Sequence, residues 1–213
     1  LRTVMDGEQD LNGEYILNEQ TTTNMMSKGT VFNPDGINDF IAVDALAVHL
    51  TNVNNTVGSV NWVGKIKDMT TDHEMIWSFA DTSANEYILL KVDATNYKFT
   101  GECRLETGAI RWAFTTDGTY SEDTVYDIRV VQNGTAPVLY VNGILQAITF
   151  GTTTDQTAWF HTTTGVDNGR IGCLLQDGGA AVFFSECEIS RFGYDNFAPT
   201  AAEVKDLISG NIP

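Results

Sequence analysis

The sequence predicts an all-β fold: one antiparallel β-sandwich of jelly-roll type, with a single short helix near the C-terminal end. Three observations carry this. Runs of about four to eight residues rich in β-branched and aromatic side chains recur along the chain, separated by Gly, Asn and Asp turn signals. The clearest, Thr124-Val125-Tyr126-Asp127-Ile128-Arg129-Val130-Val131, alternates apolar and polar residues as a half-buried strand does. One helix-start signature stands out, Thr200 followed three residues later by Glu203, a capping box that opens a helix over 200–207.

Taken in order, residues 1–29 are polar and poor in aromatics and read as an N-terminal arm, partly extended, with Glu14-Tyr15-Ile16-Leu17 as its one strand-like piece. Such an arm has little to bury, while ordering each residue costs roughly 1–2 kcal/mol of backbone entropy. It is therefore expected to lie partly against another chain, by strand addition or by wrapping. Residues 30–213 form the sandwich. Thr30 to Val43 is an opening strand broken at Pro34-Asp35-Gly36, and Ala45 to Leu50 is one helical turn or a loop. Val57 to Met69 is a strand carrying Val60, Trp62, Val63 and Ile66. Glu74 to Ala80 and Glu86 to Val92 pair across the 81–85 loop; Tyr97 to Leu105 and Ala109 to Thr115 pair across Thr107-Gly108. After the Thr124 strand come a Gln132-Asn133-Gly134-Thr135 turn, the strand Val138 to Val141 and a tight Asn142-Gly143 turn. A loop leads to a strand at Gly169-Arg170-Ile171-Gly172, and a long last strand runs from Phe183 to Tyr194. Helix is confined to the C-terminal segment.

That order of pieces resembles the laminin-G-like, concanavalin-A-like jelly rolls. The residues that carry the likeness are Leu139-Tyr140-Val141-Asn142-Gly143, Ile171-Gly172, Ile189 to Asn196 and Pro199-Thr200-Ala201-Ala202-Glu203-Val204, with Phe32 to Ile41 similar to the family's opening strand. They span roughly residues 30 to 208. Cys187 departs from the pattern, standing where the family usually has a small Gly. The resemblance implies the same sandwich, and it brings two further expectations: a calcium ion at one rim, and carbohydrate ligands.

Composition narrows the function. Hydrophobic residues make up 42% of the chain, enough for a core of ordinary size. Lys and Arg number 12 against 28 Asp and Glu, a net charge of −16. That balance repels phosphate backbones and anionic membranes, so nucleic acid is excluded as a partner, and no apolar run is long enough for membrane insertion. A chain beginning at Leu1 is expected to be a processed product or a fragment. Cys103, Cys173 and Cys187 show no zinc spacing; they read as small buried hydrophobes, with a Cys173–Cys187 disulfide as the alternative.

Residue types for three chemistries occur along the chain. Glycoside hydrolysis needs two suitably spaced carboxylates; Glu186 and Glu188 share one strand face but lack the rest of a laminarinase-like signature, so they read as solvent-facing residues and no catalytic residue is assigned. Calcium prefers loop carboxylates with backbone carbonyls, which singles out Asp35, Asp39 and Asp177 as metal ligands. Glycan binding needs exposed aromatics beside polar side chains, which singles out Trp159, Phe160 and Tyr120. For Trp159 the competing reading is a plug beneath a long loop, and Trp62, Trp77 and Trp112 belong to the core. The expected function is a non-catalytic module that binds a glycan or surface polysaccharide, displayed extracellularly or on a virion surface such as a phage particle. The alternative is a structural virion or fibre subunit.

Overall fold

A computed structural model describes residues 2–4, 31–70 and 74–209. In chain order the elements are β1 (Arg2–Val4), β2 (Phe40–Ala42), α1 (Asp44–Val53), β3 (Gly58–Ile66), β4 (Met75–Ala80), β5 (Tyr87–Asp93), β6 (Lys98–Arg104) and β7 (Ile110–Thr116). Then follow β8 (Val125–Gln132), β9 (Pro137–Val141), β10 (Ile144–Leu145), β11 (Ile148–Thr153), β12 (Asn168–Ile171), β13 (Cys187–Asp195) and α2 (Ala201–Ser209). They form two sheets: a large one in the order β1-β2-β12-β4-β5-β6-β7-β11 and a small one in the order β10-β9-β8-β3-β13. Every described pairing is antiparallel except that of β1 with β2. The chain is therefore the expected β-sandwich.

The pleat explains why these sequences stack face to face. Alternate residues of a strand point to opposite faces, so β8 sends Tyr126, Ile128 and Val130 inward and β5 sends Ile88, Leu90 and Val92 inward. Trp62 from the small sheet and Trp77 and Trp112 from the large one are fully buried between them, as expected. Phe79, Phe99, Phe114 and Phe160 fill the same layer, each contributing about 1.5–3 kcal/mol of transfer free energy. Cys103, Cys173 and Cys187 are all free thiols and all buried.

Local turn and cap chemistry follows the sequence closely. Asn142 and Gly143 take positive φ, 51° and 75°, the twist a two-residue hairpin needs between β9 and β10. Before α2 the Thr200 amide donates to Glu203 Oε2 at 2.7 Å, and the Glu203 amide donates back to Thr200 Oγ1 at 3.4 Å. Val204 on α2 then packs against Val131 and Tyr140 on the outer face of the small sheet.

Three expectations are corrected. Helix is not confined to the C-terminal end, because 44–53 forms α1. Its residues Leu46, Ala47 and Leu50 share one buried face, Asp44 sits in the first turn, and Asn54 ends it in the left-handed conformation. Two short strands, β10 and β11, occupy the stretch read as loop, and β11 closes the edge of the large sheet against β7. The last strand begins at Cys187 rather than Phe183. Arg2–Val4 of the arm pairs in parallel with the chain's own β2. Residues 5–30, including the strand expected at Tyr15 to Leu17, lie outside the described residues. Among the described residues, no helix is long and apolar enough to cross a membrane.

Candidate functional site

The outer face of the large sheet is built by the residues the pleat turns away from the core. With Ile88 and Leu90 inward, β5 presents Tyr87 and Leu89; with Phe99 and Cys103 inward, β6 presents Thr100, Glu102 and Arg104; with Trp112 and Phe114 inward, β7 presents Ala113 and Thr115. Tyr87 lies directly opposite Arg104, and Leu89 opposite Glu102.

The segment 172–186 crosses part of this face as a flap. It is closed by reciprocal backbone bonds between Leu174 and Val182, at 2.9 and 2.8 Å. It is pinned to β4 where Ser78 Oγ donates to the Cys173 carbonyl and Ser185 Oγ donates to the Met75 carbonyl. Leu174 packs with Met75, Ala80, Tyr87 and Leu89 in a small apolar cluster of its own. The flap thus covers the β4–β5 side and leaves the outward residues of β6 and β7 only partly buried.

At the border of flap and open sheet, three donors converge on one carboxylate oxygen. The Tyr87 hydroxyl donates to Glu102 Oε1 at 2.8 Å, and Arg104 donates to the same atom from Nε at 3.2 Å and Nη2 at 3.1 Å. The Arg104 guanidinium also lies over the Tyr87 ring, 5.2 Å from its centroid. Burial, together with the adjacent Glu102 charge, pushes the Tyr87 hydroxyl well above its ordinary range, so it remains a donor. The side chains of Arg104 and Glu102 keep 24% and 14% of their surface exposed, so the network is rigid yet reachable.

Arg111 lies on the neighbouring strand, β7. The register slips between Cys103 and Arg104, which pair with Trp112 and Ile110, so Arg111 is the extra residue of a bulge. Bulges re-aim side chains and bend the strand. Arg111 Nε is buried without a hydrogen-bond partner, and the Arg111 charge helps hold the Asp155 carboxyl below its usual range, after the hydrogen bond from Thr157. Arg170, by contrast, is engaged by Asp44 and lies over the Phe40 ring.

The residues singled out from the sequence fall elsewhere. Trp159 and Phe160 have no exposed surface. The Trp159 ring stacks on Trp112 at 6.4 Å and meets Phe160 edge-on at 5.0 Å, so the competing plug reading is the correct one and neither ring has a face to offer a sugar. Tyr120 is half-buried, its ring against Phe99 at 4.1 Å and its hydroxyl on Gln146 Oε1 at 3.1 Å. Among the described residues no three His, Cys, Asp or Glu side chains converge as a metal set. Calcium held by Asp35, Asp39 or Asp177 together with backbone carbonyls is a different arrangement from such a set and stays a proposal. The Asp35 carboxylate accepts the backbone amides of Ile37 and Asn38, which hold it below its ordinary pKa, and Asp177 docks by its amide on the Asp81 and Ala84 carbonyls. Glu188 is ion-paired with Lys65 and Lys67, and the Glu186 amide donates to Glu74.

Tyr87, Glu102, Arg104 and Arg111 were missed. The signal available was the same-face spacing of Glu102 and Arg104 on one strand; that Tyr87 completes the network follows only from the β5–β6 register.

No protein-family model matches the chain, and no curated protein sequence matches it. Solved structures do resemble it. The CBM40 module of the Ruminococcus gnavus IT-sialidase superposes with a TM-score of 0.65 at 14% identity, over 84% of this chain and 97% of that one. The same module bound to α2,6 sialyllactose gives 0.64 at 15% identity, over 84% and 97%. The NanB sialidase of Streptococcus pneumoniae gives 0.63 at 16% identity, over 85% of this chain but only 28% of the enzyme. At such identities the likeness establishes the fold alone, a jelly-roll β-sandwich.

Proposed function

We propose that the protein is a non-catalytic carbohydrate-binding module that takes a negatively charged sugar on the outer face of its large sheet. The observation that carries this reading is the Tyr87–Glu102–Arg104 network, with Arg111 on the next strand. A planar guanidinium held in place by a carboxylate and an aromatic ring is pre-organised to grip a carboxylate with two parallel hydrogen bonds. Glu102, whose three internal bonds all end on Oε1, offers Oε2 to a sugar hydroxyl or amide N–H. Arg104 and Arg111 lie on adjacent strands in a chain of net charge −16. The CBM40 module that superposes on this chain has been seen bound to α2,3 and to α2,6 sialyllactose, which supports the same ligand class here.

Hydrolysis is disfavoured because Glu102 is held as an acceptor by three donors, and Glu188 is tied to two lysines on the other sheet. The test is calorimetric titration with sialyllactose and with lactose. Sialyllactose is expected to bind and lactose to bind about tenfold more weakly or not at all, and Arg104→Ala to lose about 1.5–3 kcal/mol of binding energy while its circular dichroism stays that of the folded sandwich. Equal affinity for both sugars, or full binding by Arg104→Ala, would refute the reading.

A further inference from the structure

The opposite side of the sandwich, the outer face of the small sheet, carries a groove of about 370 Å³. Four residues in one register row form it. Asn142 is joined to Asp127 by a pair of hydrogen bonds, its amide donating to the Asp127 carbonyl at 2.7 Å and its Oδ1 accepting the Asp127 amide at 2.8 Å. Asp127 lies opposite Val63, and Val63 lies opposite Arg191. Val125 and Ser190 complete the lining.

Three features distinguish this row from an ordinary solvated sheet face. First, β13 slips register between Ile189 and Arg191, a bulge that brings Ser190 and Arg191 to the groove together. Ser190 Oγ donates to the Val63 carbonyl at 3.0 Å, and Arg191 Nη2 crosses Val63 to reach Asp127 Oδ2 at 2.8 Å. Second, the Asp127 side chain is nine-tenths buried, yet its Oδ1 has no donor. An acceptor buried without a donor costs about 1–3 kcal/mol, which a bound hydroxyl would recover once a turn of the carboxylate brings the enclosed oxygen to the groove. Third, Arg191 remains 43% exposed and Val125 62% exposed, so a donor and an apolar surface stand open beside that acceptor.

We propose that this groove is a second binding site, for a single neutral sugar ring. A pyranose hydroxyl donates to Asp127 Oδ1, its neighbour accepts from Arg191, and the ring's C–H face lies on Val125 and Val63. One acid and one base leave the groove without net charge, so it favours a neutral ring over a charged one. Its volume sits at the small end of ligand pockets, about 300–1,000 Å³, which fits one ring rather than a chain. The site shares no residue with the Arg104 face and does not depend on the function proposed for it.

The test is amide-resolved NMR titration of the whole chain with methyl glucoside, methyl galactoside and methyl mannoside. At least one should bind with Kd on the order of 1 mM, shifting the amides of Val125, Asp127, Asn142, Ser190 and Arg191. Arg191→Ala should weaken it by about tenfold, and Val125→Trp, which fills the groove from an exposed position, should abolish it. Arg104→Ala should leave it unchanged. No saturable shift in this row with any of the three glycosides overturns the proposal, as does binding that survives both groove variants. Failure of sialyllactose binding, with these shifts intact, would reject only the site on the large sheet.

Discussion

Glu74 should make the protein less stable as pH rises, and Glu74→Gln should cure it. The side chain is 3% exposed, with Oε2 accepting the Glu186 amide at 3.1 Å and the flap residue Ser185 bonded beside it. Burial outweighs those hydrogen bonds and raises its pKa from the ordinary 4.5 to about 7, with the Asp68 and Glu186 charges adding to the rise. A carboxyl so raised holds its proton more tightly folded than unfolded. Its stabilising contribution is complete below the unfolded value and is lost as pH climbs through the folded one. The gap, at about 1.4 kcal/mol per pH unit, comes to about 3 kcal/mol. The Gln amide keeps an acceptor for Glu186 and carries no charge to desolvate. Guanidinium unfolding of both proteins should give nearly equal stabilities at about pH 4.5 and a growing advantage for the variant above it, levelling near 3 kcal/mol above about pH 7. Comparison at each pH cancels the titration of the other carboxylates. A stability difference that does not change with pH, or that grows toward acid, would refute the assignment.

Two further outcomes separate core from surface. Trp159→Ala should cost about 3–5 kcal/mol in chemical unfolding, because it empties a fully buried site stacked on Trp112; a loss of sugar binding without loss of stability would instead restore Trp159 as a ligand platform. Thr200→Ala should lower stability by about 1 kcal/mol and fray α2 from its N-terminal end, because Thr200 and Glu203 cap each other; unchanged amide exchange in the first turn would count against it.

What the sequence determined by itself is what neighbouring residues decide. The strand over Val125 to Val131, the Asn142-Gly143 hairpin and the Thr200–Glu203 cap each depend on backbone preferences and bonds within a few residues, so each was legible and each is present, although the strand is buried on both faces rather than half-buried. The buried tryptophans of β3, β4 and β7 were equally readable, because strand parity assigns them a face. α1 was half-visible: Leu46, Ala47 and Leu50 have helical spacing, but ten residues hold a helix mainly through packing, here beside β12, where the Val43 amide donates to the Gly169 carbonyl. Tertiary structure alone decided the rest. Trp159 and Phe160 sit in a polar stretch whose composition suggests a surface loop, and only the closing of the sandwich over Trp112 and Phe79 turns them into core. Tyr87 and Arg104 are seventeen residues apart along the chain and become neighbours only when β5 and β6 pair in one register. The Asn142, Asp127, Val63 and Arg191 row crosses from the β9–β10 turn over three strands, one of them bulged. A shift of one residue in any pairing would send every side chain of that strand to the other face. Binding residues on a sheet are therefore set by register, and register is fixed by the burial of the whole opposite face rather than by the residues that meet on this one.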